Sequence, residues 1–111
     1  MSKTIQSKIE LNVELDENRV PEKLKWSAQD GGITNEEAKA VMLSVWDNNA
    51  KTTLTIDLWT KDMPLDEMKL FFHQTLVTMS DTYLRATQDA KMTATMKDFC
   101  DYFADKLDLK K

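Results

Sequence analysis

The chain has 111 residues, of which 41% are hydrophobic and 31% charged, a balance that fits one globular domain spanning residues 1–111 with one modest core. Its net charge of −4, from 19 acidic and 15 basic residues with no basic run, argues against the electrostatic footprint of a nucleic-acid binder, and no nucleic-acid partner is expected. A single cysteine, Cys100, excludes an internal disulfide and suits a reducing compartment. The N-terminal run MSKTIQSKIELNV carries no apolar leader, and no stretch approaches transmembrane length. The expectation is a cytoplasmic protein without direct membrane insertion.

With only two glycines and two prolines, the chain should be mostly regular structure with short connections. Ile9, Leu11, Val13 and Leu15 alternate with Lys8, Glu10, Asn12 and Glu14, the pattern of a strand with one apolar and one charged face. Asp16-Glu17-Asn18-Arg19 is a turn cluster, and Pro21 favours an edge or strand-start position. Leu24, Trp26 and Ala28 then alternate with Lys23, Lys25 and Ser27. Residues 5–15 and 22–28 therefore read as an antiparallel hairpin.

Residues 29–37 read as a loop around Asp30-Gly31-Gly32. Thr34 and Glu37 have capping-box spacing, which would allow a helix from Glu36. Two features favour a strand over 38–46 instead. Val41, Leu43 and Val45 alternate, and a turn at Asn48-Asn49-Ala50-Lys51 places them opposite Leu58, Ile56 and Leu54. The other face of that hairpin then carries Met42, Trp46 and Trp59. Either the N-terminal tail or the 29–37 loop covers these three, or they form a patch for a protein partner, where Trp and Met are common anchors.

Asp62-Met63-Pro64 is the next turn, with Pro64 suited to the first turn of a helix and Asp66 and Glu67 near its positive end. From Leu65 the period lengthens. Leu65, Met68, Phe72, Leu76, Met79, Tyr83 and Ala86 form a core-facing stripe. A thinner stripe lies nearly opposite: Leu70, His73, Val77 and Leu84. The favoured reading is a cover by the last helix of the same chain; a homodimer or partner contact comes second, and scattered exposed apolar residues third.

Thr87-Gln88-Asp89 supplies cap residues for a second helix over 90–107, with Met92, Met96, Phe99, Cys100, Phe103 and Leu107 on its apolar side. Asp98, Asp101, Asp105 and Asp108 stack on the other side, as a solvated face or as a contact for a basic partner. Lys110 and Lys111 close the chain near the negative end of that helix.

No catalytic signature emerges. His73 is the sole histidine, and pairing it with Cys100 as a nucleophile is disfavoured because a cysteine on an apolar helix face is ordinarily a small core residue. There is no metal-ligand spacing and no glycine-rich phosphate loop, so neither an enzyme nor a bound cofactor is expected.

The segments LNVELDENRVPEKLKWSAQDGG, LSVWDNNAK, TIDLWTKDMPLDEMK, FFHQTLVTMSDT and TMKDFCDYFADKL resemble the GldC gliding motility-associated proteins of Bacteroidetes, over residues 8–109. The resemblance is one of running text rather than of a catalytic motif. It implies an accessory role in surface gliding, with another gliding-machinery component as the protein partner, and it brings no catalytic or ligand residues to particular positions.

The residues and the resemblance together predict an α+β fold: a four-stranded antiparallel sheet of two hairpins, followed by two C-terminal helices packed on one face. The expected core is Ile9, Leu11, Val13, Trp26, Leu43, Ile56, Leu58, Met68, Phe72, Leu76, Met79, Phe99 and Phe103. The expected function is protein–protein binding. The alternatives are a chaperone-like adaptor for secreted proteins, with a long apolar groove, and a small-molecule-binding domain or hydrolase built around a cavity near His73.

Overall fold

The computed structural model describes residues 3–109. The chain is α+β, with five strands followed by two helices, and it forms two compact units divided between Met63 and Pro64.

In the first unit, β1 (Ile9–Leu15), β2 (Pro21–Ala28) and β3 (Ile33–Ala38) make a three-stranded antiparallel sheet in the order β1-β2-β3. The alternation of β1 and β2 sets their register, with Ile9 opposite Ala28, Leu11 opposite Trp26 and Val13 opposite Leu24. Leu24 is fully buried. Asp16 builds the connecting turn: its carboxylate accepts from the N–H groups of Asn18 (2.8 Å) and Val20 (2.9 Å), while Arg19 takes the left-handed conformation at φ 64°.

β4 (Ala40–Asp47) and β5 (Thr52–Trp59) form a separate two-stranded sheet. Its register places Val41 opposite Leu58, Leu43 opposite Ile56 and Val45 opposite Leu54, as their alternation requires. Asp47 holds the turn by accepting from the Ala50 N–H (2.7 Å), and Lys51 sits at φ 57°.

The single four-stranded sheet expected from the sequence is therefore replaced by a three-stranded and a two-stranded one. The difference lies in residues 33–38, which are strand β3 rather than loop or capping box. Thr34, Asn35, Glu36 and Glu37 have no apolar period, and Asn35 has a positive φ of 48°. β2 makes this segment a strand by pairing Leu24 with Ala38 and Trp26 with Glu36. Before it, residues 29–31 form a 3-10 turn closed by Gly32 at φ 69°, a conformation that suits glycine.

The end of β5 is fastened within the same unit. The buried Thr60 donates its N–H to the Lys39 carbonyl (2.8 Å) and its hydroxyl to Asp62 (2.6 Å). Lys39 bonds the other Asp62 oxygen (2.9 Å). Lys61 reaches Asp16 (3.0 Å) and Glu22 (3.2 Å), and its N–H donates to the Pro21 carbonyl (3.2 Å).

The second unit is a helical hairpin of α1 (Leu65–Thr87) and α2 (Ala90–Lys106). Pro64 precedes α1 with an extended backbone (ψ 143°), one residue before the first turn, and its carbonyl accepts from the Met68 N–H. Gln88 ends α1 at φ 62°, and Asp89 caps α2 by accepting from the Met92 N–H (3.0 Å). A two-residue connection makes the helices antiparallel neighbours. Small side chains form their seam: Ser80 and Ala104 are fully buried, and Thr93 and Cys100 nearly so. Such residues let two helix axes approach closely.

Much of the expected core is not buried. Ile9, Leu43, Ile56, Phe72, Met79 and Phe99 are exposed, and Leu11, Val13, Trp26, Leu58, Met68, Leu76 and Phe103 are partly buried. Among the described residues the buried apolar side chains are Leu24, Cys100 and Ala104. Alternation and helical period identify which face is apolar, but burial needs a covering layer, and neither pattern encodes one. Lys110 and Lys111 lie outside the described residues.

Candidate functional site

β4 and β5 pair without interruption over eight residues each, so their side chains sort into two faces. One carries Ala40, Met42, Ser44 and Trp46 opposite Trp59, Asp57, Thr55 and Thr53. Trp46 is 63% exposed, Trp59 56% and Met42 36%. Trp59 pairs with Ala40, so the two indoles stand six residues apart along the ladder, roughly 20 Å. Asp57 is the single ionisable group between them. The surface is thus two large apolar anchors with small and hydroxyl residues between, the composition of an interface centre rather than of an ordinary solvated face.

The segment that could have covered these anchors is engaged elsewhere. Residues 29–31 form the 3-10 turn and residues 33–38 pair with β2. Residues 3–8 are themselves exposed. The opposite face of the hairpin holds Leu43, Val45, Leu54 and Ile56, also exposed. Sequence periodicity places those four inside; their exposure is visible only in the structure.

The second group of candidate residues lies on α1 and is distributed differently. The His73 ring stacks on Phe103 of α2, with centroids 6.2 Å apart and planes 16° from parallel. His73 and Val77 are partly buried, while Leu70 and Leu84 remain exposed. Ser80, absent from the sequence-derived stripe, is its most buried member and donates to the Val77 carbonyl (2.7 Å). Its position midway between Val77 and Leu84 is the signal that could have found it. Asp81 and Lys97 bridge the helices at 2.8 Å, and the Tyr83 hydroxyl donates to Asp89 (3.1 Å). Leu65, Phe72 and Met79, seven residues apart, form an exposed row on α1.

Cys100 is buried, and burial pushes its thiol up from its ordinary value, the reverse of what activates a nucleophile. His73 is not among the residues lining the concavity along α1, about 410 Å³, which are Thr75, Thr78, Met79, Thr82, Tyr83 and Ala86. Of the acidic row, Asp98, Asp101 and Asp105 lie on α2, and Asp108 follows its end at φ 58°. Among the described residues no group of three His, Cys, Asp or Glu side chains is placed to hold a metal. No helix there is long and apolar enough to cross a membrane.

A family model described as gliding motility-associated protein GldC-like matches residues 21–109. The chain belongs to the GldC-like family. The match starts at β2 and runs through α2, so both candidate surfaces lie within the GldC-like region. Membership associates the chain with gliding motility. No curated protein and no solved structure matches it.

Proposed function

We propose that this chain is a cytoplasmic accessory protein of bacterial gliding motility that binds another component of the gliding machinery and performs no catalysis. Family membership supports the setting. The observation that carries the mechanism is the pair of half-exposed indoles on a face whose one charge is Asp57. Two tryptophans of this exposure offer a large desolvation gain to a partner that covers them. A buried, raised thiol and a histidine stacked on phenylalanine support the absence of catalysis.

The test is a photo-crosslinking amino acid at Trp46 or Trp59 in a gliding bacterium that depends on this chain. Both positions should crosslink to the same gliding component, the product formed from position 46 should weaken when Trp59→Ser is added, and the double variant Trp46→Ser/Trp59→Ser should lose gliding. Normal gliding by the double variant, at normal protein level, would sink the assignment of this face.

A chaperone-like adaptor is the second reading, favoured by the exposed row Leu65, Phe72 and Met79. It predicts suppression of aggregation of an unfolded client, lost in Phe72→Ser.

A further inference from the structure

The strand edges of the first unit differ in how they are protected. β1 carries Glu10 and Glu14, with Lys8 just before it, and its register shifts after Glu14. β3 carries Glu36 and Glu37 and the positive φ of Asn35. Charges and irregular backbone are the usual devices that stop an edge from pairing with another chain. β4 has neither. Its run Ala40-Val41-Met42-Leu43-Ser44-Val45-Trp46 holds no charge, proline or glycine, and it pairs regularly with β5, its one ladder neighbour. From Met42 to Trp46 every residue is exposed. An uncharged seven-residue β run on an open edge is an aggregation hazard unless something pairs with it. A lone two-stranded hairpin is also marginal in water.

We infer that the β4 edge pairs antiparallel with the β4 edge of a second copy of this chain, about a two-fold axis at Leu43, making one four-stranded sheet from two hairpins. Charge and size select this occupant. Pairing about Leu43 sets Leu43 opposite itself, Val41 opposite Val45, Met42 opposite Ser44 and Ala40 opposite Trp46. Aliphatic meets aliphatic, each large side chain on the Trp face meets a small one, and no like charges oppose one another. The same operation about Asn12 in β1 would set Glu10 against Glu14, and about Glu36 in β3 it would set that residue against itself. β5 carries Asp57, and the chain just past its end is tied to Pro21 through Lys61. The dimer would place both copies of Met42, Trp46 and Trp59 on one sheet face. The β4–β4 pairing does not depend on what that face binds.

Disulfide trapping in the full chain with Cys100→Ala tests it. Residues directly opposite in an antiparallel pair have Cα atoms about 4.5–5.5 Å apart, within disulfide range. Leu43→Cys should form a covalent dimer on mild oxidation. Val45→Cys should not, because its copies would lie four residues apart along the ladder, roughly 13 Å. Light scattering should give a dimer for the native chain and a monomer for Val45→Lys. A native mass that stays monomeric at all concentrations would overturn the inference. So would equal trapping at positions 43 and 45, or a dimer that persists without trapping at 43. If Val45→Lys fails to fold, the trapping comparison decides. Neither cysteine replaces a tryptophan, so loss of partner crosslinking and loss of the dimer are separable.

Discussion

The hairpins β1–β2 and β4–β5 are built from the same alternation and reach different ends. On β1–β2 the apolar side is partly covered and contains the fully buried Leu24, while the outward side of β1 carries Glu10 and Glu14. On β4–β5 both faces carry large apolar side chains, and Leu43, Val45, Leu54, Ile56, Trp46 and Trp59 are all exposed. A third strand separates them: β3 extends the first hairpin into a sheet, whereas the second remains a ribbon. Alternation decides which side chains share a face, and the number of neighbouring elements decides whether that face is worth anything to stability.

The largest expected effect tests this contrast directly. Leu24→Ala should cost about 2–5 kcal/mol in denaturant unfolding, as for a fully enclosed leucine. Ile56→Ala, at 48% exposure, should cost about half that or less. Equal costs would mean that the β4–β5 face is covered in solution.

A smaller effect concerns the helical hairpin, whose ends are set by local chemistry. Asp89 caps α2 through Met92 and also accepts from the Tyr83 hydroxyl. Asp89→Ala should lower stability by about 1 kcal/mol in thermal or denaturant unfolding. Tyr83→Phe should lower it by less, since the cap itself survives. If the two changes cost the same, the cap contributes nothing beyond the hydroxyl contact.

The smallest effect is a pH dependence at the joint that holds the two sheets of the first unit. The Val20 N–H, and then the Lys61 ammonium, hold the Asp16 carboxyl below its ordinary range. The Thr60 hydroxyl, and then Lys39, do the same for Asp62. A carboxyl whose folded value is lowered contributes stability above its unfolded value and loses it as the pH falls through the folded one. Stability should therefore decline on acidification below the ordinary carboxylate range, and Asp16→Asn should show a shallower decline with a lower neutral plateau. Parallel melting curves for the two chains across that range would show that the Asp16 ionisation is not coupled to folding.

The resemblance to gliding motility-associated proteins and the family match agree, and the family match covers β2 through α2. Within the candidate site, the identities of Met42, Trp46 and Trp59 and their common face followed from the register of Val41, Leu43 and Val45 against Leu58, Ile56 and Leu54. Their exposure did not follow, because it depends on where residues 29–38 go, and those residues carry no period of their own.

The sequence by itself determined the hairpins, the turns over residues 16–19 and 48–51, and both helices with the Asp89 cap. Each of these is specified by residues within a few positions of one another, through alternation, left-handed turn positions and capping. Only the tertiary structure decided that polar residues 33–38 become a strand, since their ladder comes from β2. It alone decided that Ser80, Thr93, Cys100 and Ala104 form the helix seam, where close approach favours small side chains over the larger ones that periodicity selects. And it alone left Leu43, Val45, Leu54, Ile56, Trp46 and Trp59 exposed, because burial belongs to a pair of surfaces and a single stretch of sequence describes only one of them.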